Sequence, residues 1–394
     1  VKSCRSILGI FALSAALSLA STVEGKTIRI SGLLTVERGS VLAVGPGDLL
    51  IVEGKILVKG VLRIKGEKGK PAVLRLLGGA PYGIEVRGGK VVGSEFEIEG
   101  GKGGVSVYGG SVELESGRMR VDRVALNFGG DSLVKLKSLL FSGGKAGVIV
   151  RGASRTEIVG STFEKLSKGG VYVQEEGNLK LIDCEFIKNS VGMRISMSGV
   201  KCEVRGTAFV GNGTGILVER LASPRVFDSR FLGNEVGVKF TRRGRGNFES
   251  NVFDGNSISV FVEYSSYPRF RHNDFLSFRE AAVFVEKQSS LWEKRATDAD
   301  REGLPYGRRA RGGEKRSRKV DGLPKAELTG KLDFRENFWD GLTSELKSGR
   351  ENVSGIRDGR DDPFFEYKGV EYPLDVVDFS GFSEKPFKKG KRSD

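Results

Sequence analysis

Apolar and polar residues alternate in short runs along this chain, as in Leu179 to Phe186 and Met193 to Ile195, with Gly and Asn between the runs. Alternation at period two predicts strands with one buried face. Gly and Asn predict turns that use left-handed backbone. The runs recur. Phenylalanine returns in one local context at Phe141, Phe163, Phe186, Phe209, Phe231, Phe253 and Phe275, at steps of 22 or 23 residues. Met119 takes the preceding place, and Phe96 lies 23 residues before Met119. Gly147, Gly170, Gly192, Gly215 and Gly237 each precede an apolar-x-apolar triplet, and Ser259 and Ala282 continue that series. Asn189, Asn212, Asn234 and Asn256 each follow a Phe by three residues. Three markers in phase over about 140 residues define a repeat.

A unit of this length is too short for a propeller blade, has no helical period and lacks the leucine-rich pattern. It predicts an all-β fold, a single-stranded right-handed parallel β-helix (a solenoid) with about 22 residues per coil. Coils stack about 4.8 Å apart. Equivalent positions then form columns, with Phe on Phe inside and Asn on Asn at a turn. Six residues before each Phe stand Glu157, Lys180, Glu203, Arg225, Asn247 and Arg269. The first four alternate in charge, which reads as a solvated stabilising ladder. Two residues after each marker Gly, alternation turns a side chain outward: Ile149, Tyr172, Arg194, Leu217, Lys239, Phe261 and Phe284. The register sets Cys184 and Cys202 about five residues apart along the strand direction, or about 16 Å. A disulfide needs Cα atoms within about 7 Å, so two buried free thiols are predicted.

The ends differ from the repeat. Lys2 and Arg5 precede an apolar run from Ile7 to Ala20, closed by the small-x-small phrase Ser18-Leu19-Ala20. Residues 1–20 therefore read as a secretory signal peptide, and the mature chain as exported, periplasmic or extracellular. No later stretch is long and apolar enough to cross a membrane. The coils are expected over 21–286, a basic and flexible insertion over 287–326, the last coil and a cap over 327–382, and a basic tail over 383–394. Of the net charge of +14, the insertion carries +6, the tail +3 and the signal peptide +2, leaving the coils nearly neutral. That appended basicity suggests an anionic partner, and outside the cell nucleic acid is not expected.

Composition narrows the chemistry. The 57 glycines have no Gly-X-Y period, which excludes collagen, and 38% hydrophobic content with 24 Phe excludes wholesale disorder. One His and three Met exclude a His-rich or Met-rich metal carrier, and no metal site is predicted. Ser-His-Asp catalysis would rest on His272 alone.

The unit Phe186-Ile187-Lys188-Asn189-Ser190-Val191-Gly192-Met193 resembles the repeat of secreted bacterial right-handed parallel β-helix proteins of pectate-lyase-like architecture. Leu42 to Gly47 and Ile56 to Leu62 resemble their opening coils. Asn337-Phe338-Trp339-Asp340, Asp358 to Asp362 and Val370-Glu371-Tyr372-Pro373 resemble their closing segment, with Asp340 where the family has Gly. The resemblance covers nearly the whole mature chain. It implies the fold and leaves activity open, since the family mixes polysaccharide-active enzymes with binding and structural proteins. The Asp pair with Gly-His-Gly of polygalacturonase-like hydrolases and the Asp-Pro-His-Asp of mannuronan epimerases are both missing from the coils.

Two sets of residues remain as candidates. Asp183, Arg205 and Asp228 lie in or beside the turn column three residues before Phe, where a carboxylate pair two coils apart suits glycan cleavage. Calcium enters only if the chain is a lyase. Tyr172, Arg194, Lys239, Phe261 and Phe284 form an outward strip whose rings suit sugar faces and whose cations suit carboxylates. The sequence therefore points first to an exported, non-enzymatic protein that binds acidic polysaccharide or another anionic envelope component. The alternatives are a polysaccharide lyase or glycoside hydrolase, and a structural or adhesive envelope protein.

Overall fold

The computed structural model describes residues 25–197, 201–297 and 328–388. The expected signal peptide, residues 298–326 of the insertion and residues 389–394 of the tail lie outside the described residues. The chain divides into two compact units, one of residues 25–194 and 205–213, the other built from 195–204 and the chain beyond 214. Each is a right-handed parallel β-solenoid, and between them they carry about twelve turns of about 22 residues with almost no helix.

Most coils of the first unit contribute three short strands, which merge into the long strands Gly103–Arg120 and Val124–Ser142 in the middle, and strands pair in parallel with their equivalents one coil on. Thr27–Ile30 pairs with Leu49–Val52, Leu33–Val36 with Lys55–Val58, and Val41–Val44 with Val61–Lys65. Inward positions are apolar, half-buried at Ile28, Ile30 and Leu34 of the opening coil and fully buried further on, as at Ile56, Leu74 and Val105. Phe141, Phe163, Phe186 and Phe209 lie in register. Their rings stack nearly flat at 4.7, 4.7 and 4.9 Å. The coil spacing therefore sets the ring spacing, and burial and stacking act together. Phe96 is not in this column. Met119 pairs with Ile98, and Phe96 pairs with Gly117. A Cβ on Gly117 would come within 2.3 Å of the Phe96 ring, so the ring fills the space the glycine leaves.

Asparagines close the turns from within. Asn189 donates from its backbone N–H and its Nδ2 to Asn212 Oδ1, at 2.9 and 3.0 Å. Nδ2 of Asn189 also reaches the Phe163 carbonyl at 2.9 Å. In the second unit Asn234 makes the same pair of bonds to Asn256. A further ladder, not anticipated from the repeat, runs through Asn251, Asn273 and Asn337, two residues before Phe253, Phe275 and Trp339. In the first unit this place is taken by Ser161, Cys184 and Thr207, which are also buried. The expected charge ladder forms as well. Glu157 meets Lys180 at 3.9 Å, and Glu203 meets Arg225 at 2.8 Å.

In the second unit Phe231, Phe253 and Phe275 form an internal stack of the same kind, and Trp339 closes it at 4.3 Å from Phe275. Asp340 N–H donates to the Phe275 carbonyl, and the left-handed position passes to Gly341 at φ 76. The chain thereby turns without the glycine expected at 340. The aperiodic segment begins as packed structure. Its helix Ser290–Arg295 is capped by Ser289. Asp375, itself buried, accepts from the Ser290 N–H at 2.7 Å and the Ser290 hydroxyl at 2.9 Å. Trp292 packs with Tyr264 and with Phe365, Tyr367 and Tyr372 of the hairpin Phe364–Tyr367 and Val370–Pro373. The first residues of the tail are also held, since Phe387 and Lys388 donate their N–H groups to Asp274.

Cys184 and Cys202 are free and buried, and burial pushes both thiols up to about 12. An acid whose folded value is raised favours folding until the unfolded chain ionises. Stability is therefore expected to fall as pH rises above the ordinary thiol value of about 9 towards 12. Denaturation midpoints of the double variant Cys184→Ala, Cys202→Ala should fall less steeply across that range. Equal slopes would contradict the assignment. Separately, Asn251→Ala removes the acceptor for Ser229 N–H and the donor to the Val226 carbonyl. Each orphaned buried group costs about 1–3 kcal/mol, so urea unfolding should show a loss well beyond that of the exposed Asn247→Ala.

Candidate functional site

One irregular coil of the first unit builds a face. Ile56 pairs with Ile84, a step of 28 residues, whereas Ile84 to Val105 and Val105 to Leu126 each take 21. The added residues 77–83 carry Tyr82 outside the coil strands. Its ring lies over Gly103, where a Cβ would come within 2.7 Å of it. Outward positions on the following coils line up as Glu85, Ser106, Asn127, Ile149 and Tyr172. A second outward column runs through Arg87, Tyr108 and Gly129, with Arg151 one coil further on. Tyr108 is 55% exposed. Burial pushes the Tyr82 hydroxyl up, Arg151 and Arg123 pull it down, and Tyr108 pushes it up. The Tyr82 hydroxyl thus lies within electrostatic reach of Tyr108, Arg123 and Arg151. Burial likewise raises Tyr172, opposed by the neighbouring Arg194.

A ridge of cations borders this face. Arg123 N–H donates to the Lys102 carbonyl, Lys145 N–H to that of Arg123, and Lys168 N–H to that of Lys145. The four residues thus stand one above another on successive coils, about 4.8 Å apart. All four are exposed. None has an ion-pair or hydrogen-bond partner for its side chain among the described residues. Other cations of this unit face a carboxylate one coil away: Arg29 with Glu53, Arg75 with Glu99, Lys90 with Glu113 and Lys137 with Glu115. At the other end of the same strands lies a groove of about 610 Å³ lined by Gly60, Gly89 and Gly110 with Lys59 and Lys90. Both lysines there are already paired, Lys59 with Glu37 and Lys90 with Glu113.

The outward strip predicted from the repeat falls into two parts. Tyr172 and Arg194 belong to the face just described, as neighbours on successive coils. Lys239, Phe261 and Phe284 belong to the second unit and are engaged with one another. Lys239 lies 4.3 Å from the Phe261 ring centre, Phe261 and Phe284 meet edge to face at 5.1 Å, and Arg357 covers Phe284 at 4.8 Å. Phe261 is only 9% exposed. Arg357 comes from the closing segment, whose strand Ile356–Arg357 pairs with the strand that carries Phe284.

The two carboxylate candidates are placed as turn residues, and Arg205 ends the strand Cys202–Arg205. Asp183 at φ 50 and Asp228 at φ 54 take the left-handed position also held by Gly206, Ser250 and His272. Asp183 N–H donates to the Arg205 carbonyl, which makes these two neighbours on adjacent coils of the first unit. Asp228 belongs to the second unit, where Lys388 lies 3.5 Å from its carboxylate. Among the described residues no group of three His, Cys, Asp or Glu could hold a metal ion, and no helix is long and apolar enough to cross a membrane.

The repeat pattern alone does not single out Tyr82, Tyr108, Arg151 or the ridge. The ridge has a readable signal, since Lys102, Arg123, Lys145 and Lys168 each stand two residues before Gly104, Ala125, Gly147 and Gly170. Tyr82 has none, because it lies in the coil that breaks the period.

A family model described as the right handed beta helix region matches residues 82–253 and 146–293, together more than half of the chain. No curated protein and no solved structure matches the chain.

The packed half of the strip should behave as structure. Phe261→Ala is expected to destabilise the chain by about 3–5 kcal/mol, read as a lower urea midpoint, with affinity for any anionic polymer unchanged in the folded variant. Weakened binding at unchanged stability would show that the strip is instead a contact surface.

Proposed function

We propose, from the premise that the chain belongs to the right-handed β-helix family, that it is an exported, non-enzymatic protein that binds an acidic polysaccharide or another anionic envelope component. The observation that carries this reading is the ridge Lys102, Arg123, Lys145 and Lys168, four cations in register without partners among the described residues. Uncompensated like charges stacked at coil spacing repel one another, and a bound anionic chain relieves that repulsion. A ladder along the solenoid axis suits an extended polymer with repeating charge. The rings of Tyr82, Tyr108 and Tyr172 beside it offer apolar faces on which sugar rings pack. Export rests on the basic head and apolar run at residues 1–20. The enzyme alternative rests on Asp183, Arg205 and Asp228, of which both carboxylates take left-handed turn positions and Arg205 ends a strand.

The test mixes the mature chain with acidic and neutral polysaccharides and follows both binding and polymer length. The double variant Lys145→Glu, Lys168→Glu should lose at least tenfold in affinity for acidic polymers, and wild-type affinity should fall as salt rises. Lys188→Glu, on a different turn, should bind normally, and polymer length should hold. Unchanged binding by the double variant would overturn the ridge reading. Shortening of a polymer would move the enzyme reading to first place.

A further inference from the structure

The buried group in the middle of this face that the fold does not explain is Asn127. Leu126 and Phe128 on either side of it point into the core and are fully buried, so alternation turns Asn127 outward. It is nevertheless only 5% exposed. Its Nδ2 donates to Ser106 Oγ at 3.0 Å, and its Oδ1 is buried with no hydrogen-bond partner. The turn asparagines of this protein are not left that way. Oδ1 of Asn212 and Oδ1 of Asn273 each accept two bonds. A buried acceptor without a donor is unfavourable, and in native structures such a group commonly marks a place where a ligand or water completes the bond.

The surroundings of Asn127 indicate what that ligand carries. The Tyr82 ring begins over Gly103, and its hydroxyl feels Tyr108 and Arg151 at the far end of the same strands. The ring thus lies over the start of the strand Gly103–Arg120, which holds Ser106. Tyr82 lies in the segment 77–83, between the strands Ala72–Leu76 and Ile84–Arg87. Arg123 and Arg151 make no ion pair among the described residues. Gly129 leaves a notch between Tyr108 and Arg151, and a Cβ there would touch the Tyr108 ring at 3.7 Å. An anion carrying only acceptor oxygens would satisfy the arginines and face Oδ1 with a second acceptor. A polymer that carries hydroxyl donors as well as anionic groups satisfies both.

We propose that Asn127 is a specificity-determining residue that makes this face selective for hydroxyl-bearing polyanions over polyanions without hydroxyl donors. The inference rests on the ridge reading above and narrows its ligand to an acidic polysaccharide.

The test compares alginate with polyphosphate and polyacrylate of similar charge, at one ionic strength, using the mature chain. The wild type should bind alginate at least tenfold more tightly than either of the others. Asn127→Leu should lose that preference through weaker alginate binding, while its affinity for polyphosphate stays the same. A wild type that binds all three alike would overturn the proposal, and that comparison does not depend on the variant folding. Retained preference in a folded Asn127→Leu would overturn it too. Failure of the ridge reading is distinguishable, because Lys145→Glu with Lys168→Glu would then leave binding of all three polymers unchanged.

Discussion

Every feature of this protein depends on coils staying in register. The parallel ladder between successive coils fixes one spacing of about 4.8 Å and applies it to every position at once. Inside, it sets phenylalanine rings 4.7 Å apart, where they stack. At the turns it brings asparagine amides to 2.9 Å of the next coil. Outside, it places opposite charges across from one another or, at the ridge, like charges above one another. A slip of one residue would turn the internal ring column outward and break all of these together.

The same constraint explains where function can arise. Columns that satisfy themselves are finished structure. The asparagine ladders, the Glu157–Lys180 and Glu203–Arg225 pairs and the Lys239–Phe261–Phe284–Arg357 stack all have internal partners. A column that repeats one charge without a partner is unfavourable unless something outside the fold answers it. The ridge at Lys102, Arg123, Lys145 and Lys168 is such a column, and it borders the part of the first unit where an irregular turn brings in Tyr82.

Much of this is legible in the amino-acid sequence. The Phe step, the Asn three residues later and the marker Gly predict the solenoid, the internal stack and the turn ladder, because strict stacking turns sequence period directly into contact. The free thiols follow from register alone. Legibility ends where the period does. A step of 23 points to Phe96 as a member of the ring column, but that coil takes a step of 21 and Ile98 holds the place. The outward strip reads as one surface in the repeat, yet Phe284 is covered by Arg357, from a segment far along the chain. Tyr82 lies in the longest coil of the first unit, where no neighbour reports its position. Asp183 and Asp228 stand out as carboxylates, and the left-handed backbone they adopt is the simpler reason for a short polar residue there.

The central claim is that the outward face of the first unit beside the ridge takes an anionic polymer. Hydrogen exchange of the mature chain with and without a saturating acidic polysaccharide tests it most directly. The account predicts added protection at 102–108, 123–129, 145–151 and 168–174, with the Lys239, Phe261 and Phe284 strands unchanged. Protection confined to those second-unit strands, or to the turns at Asp183 and Asp228, would contradict it.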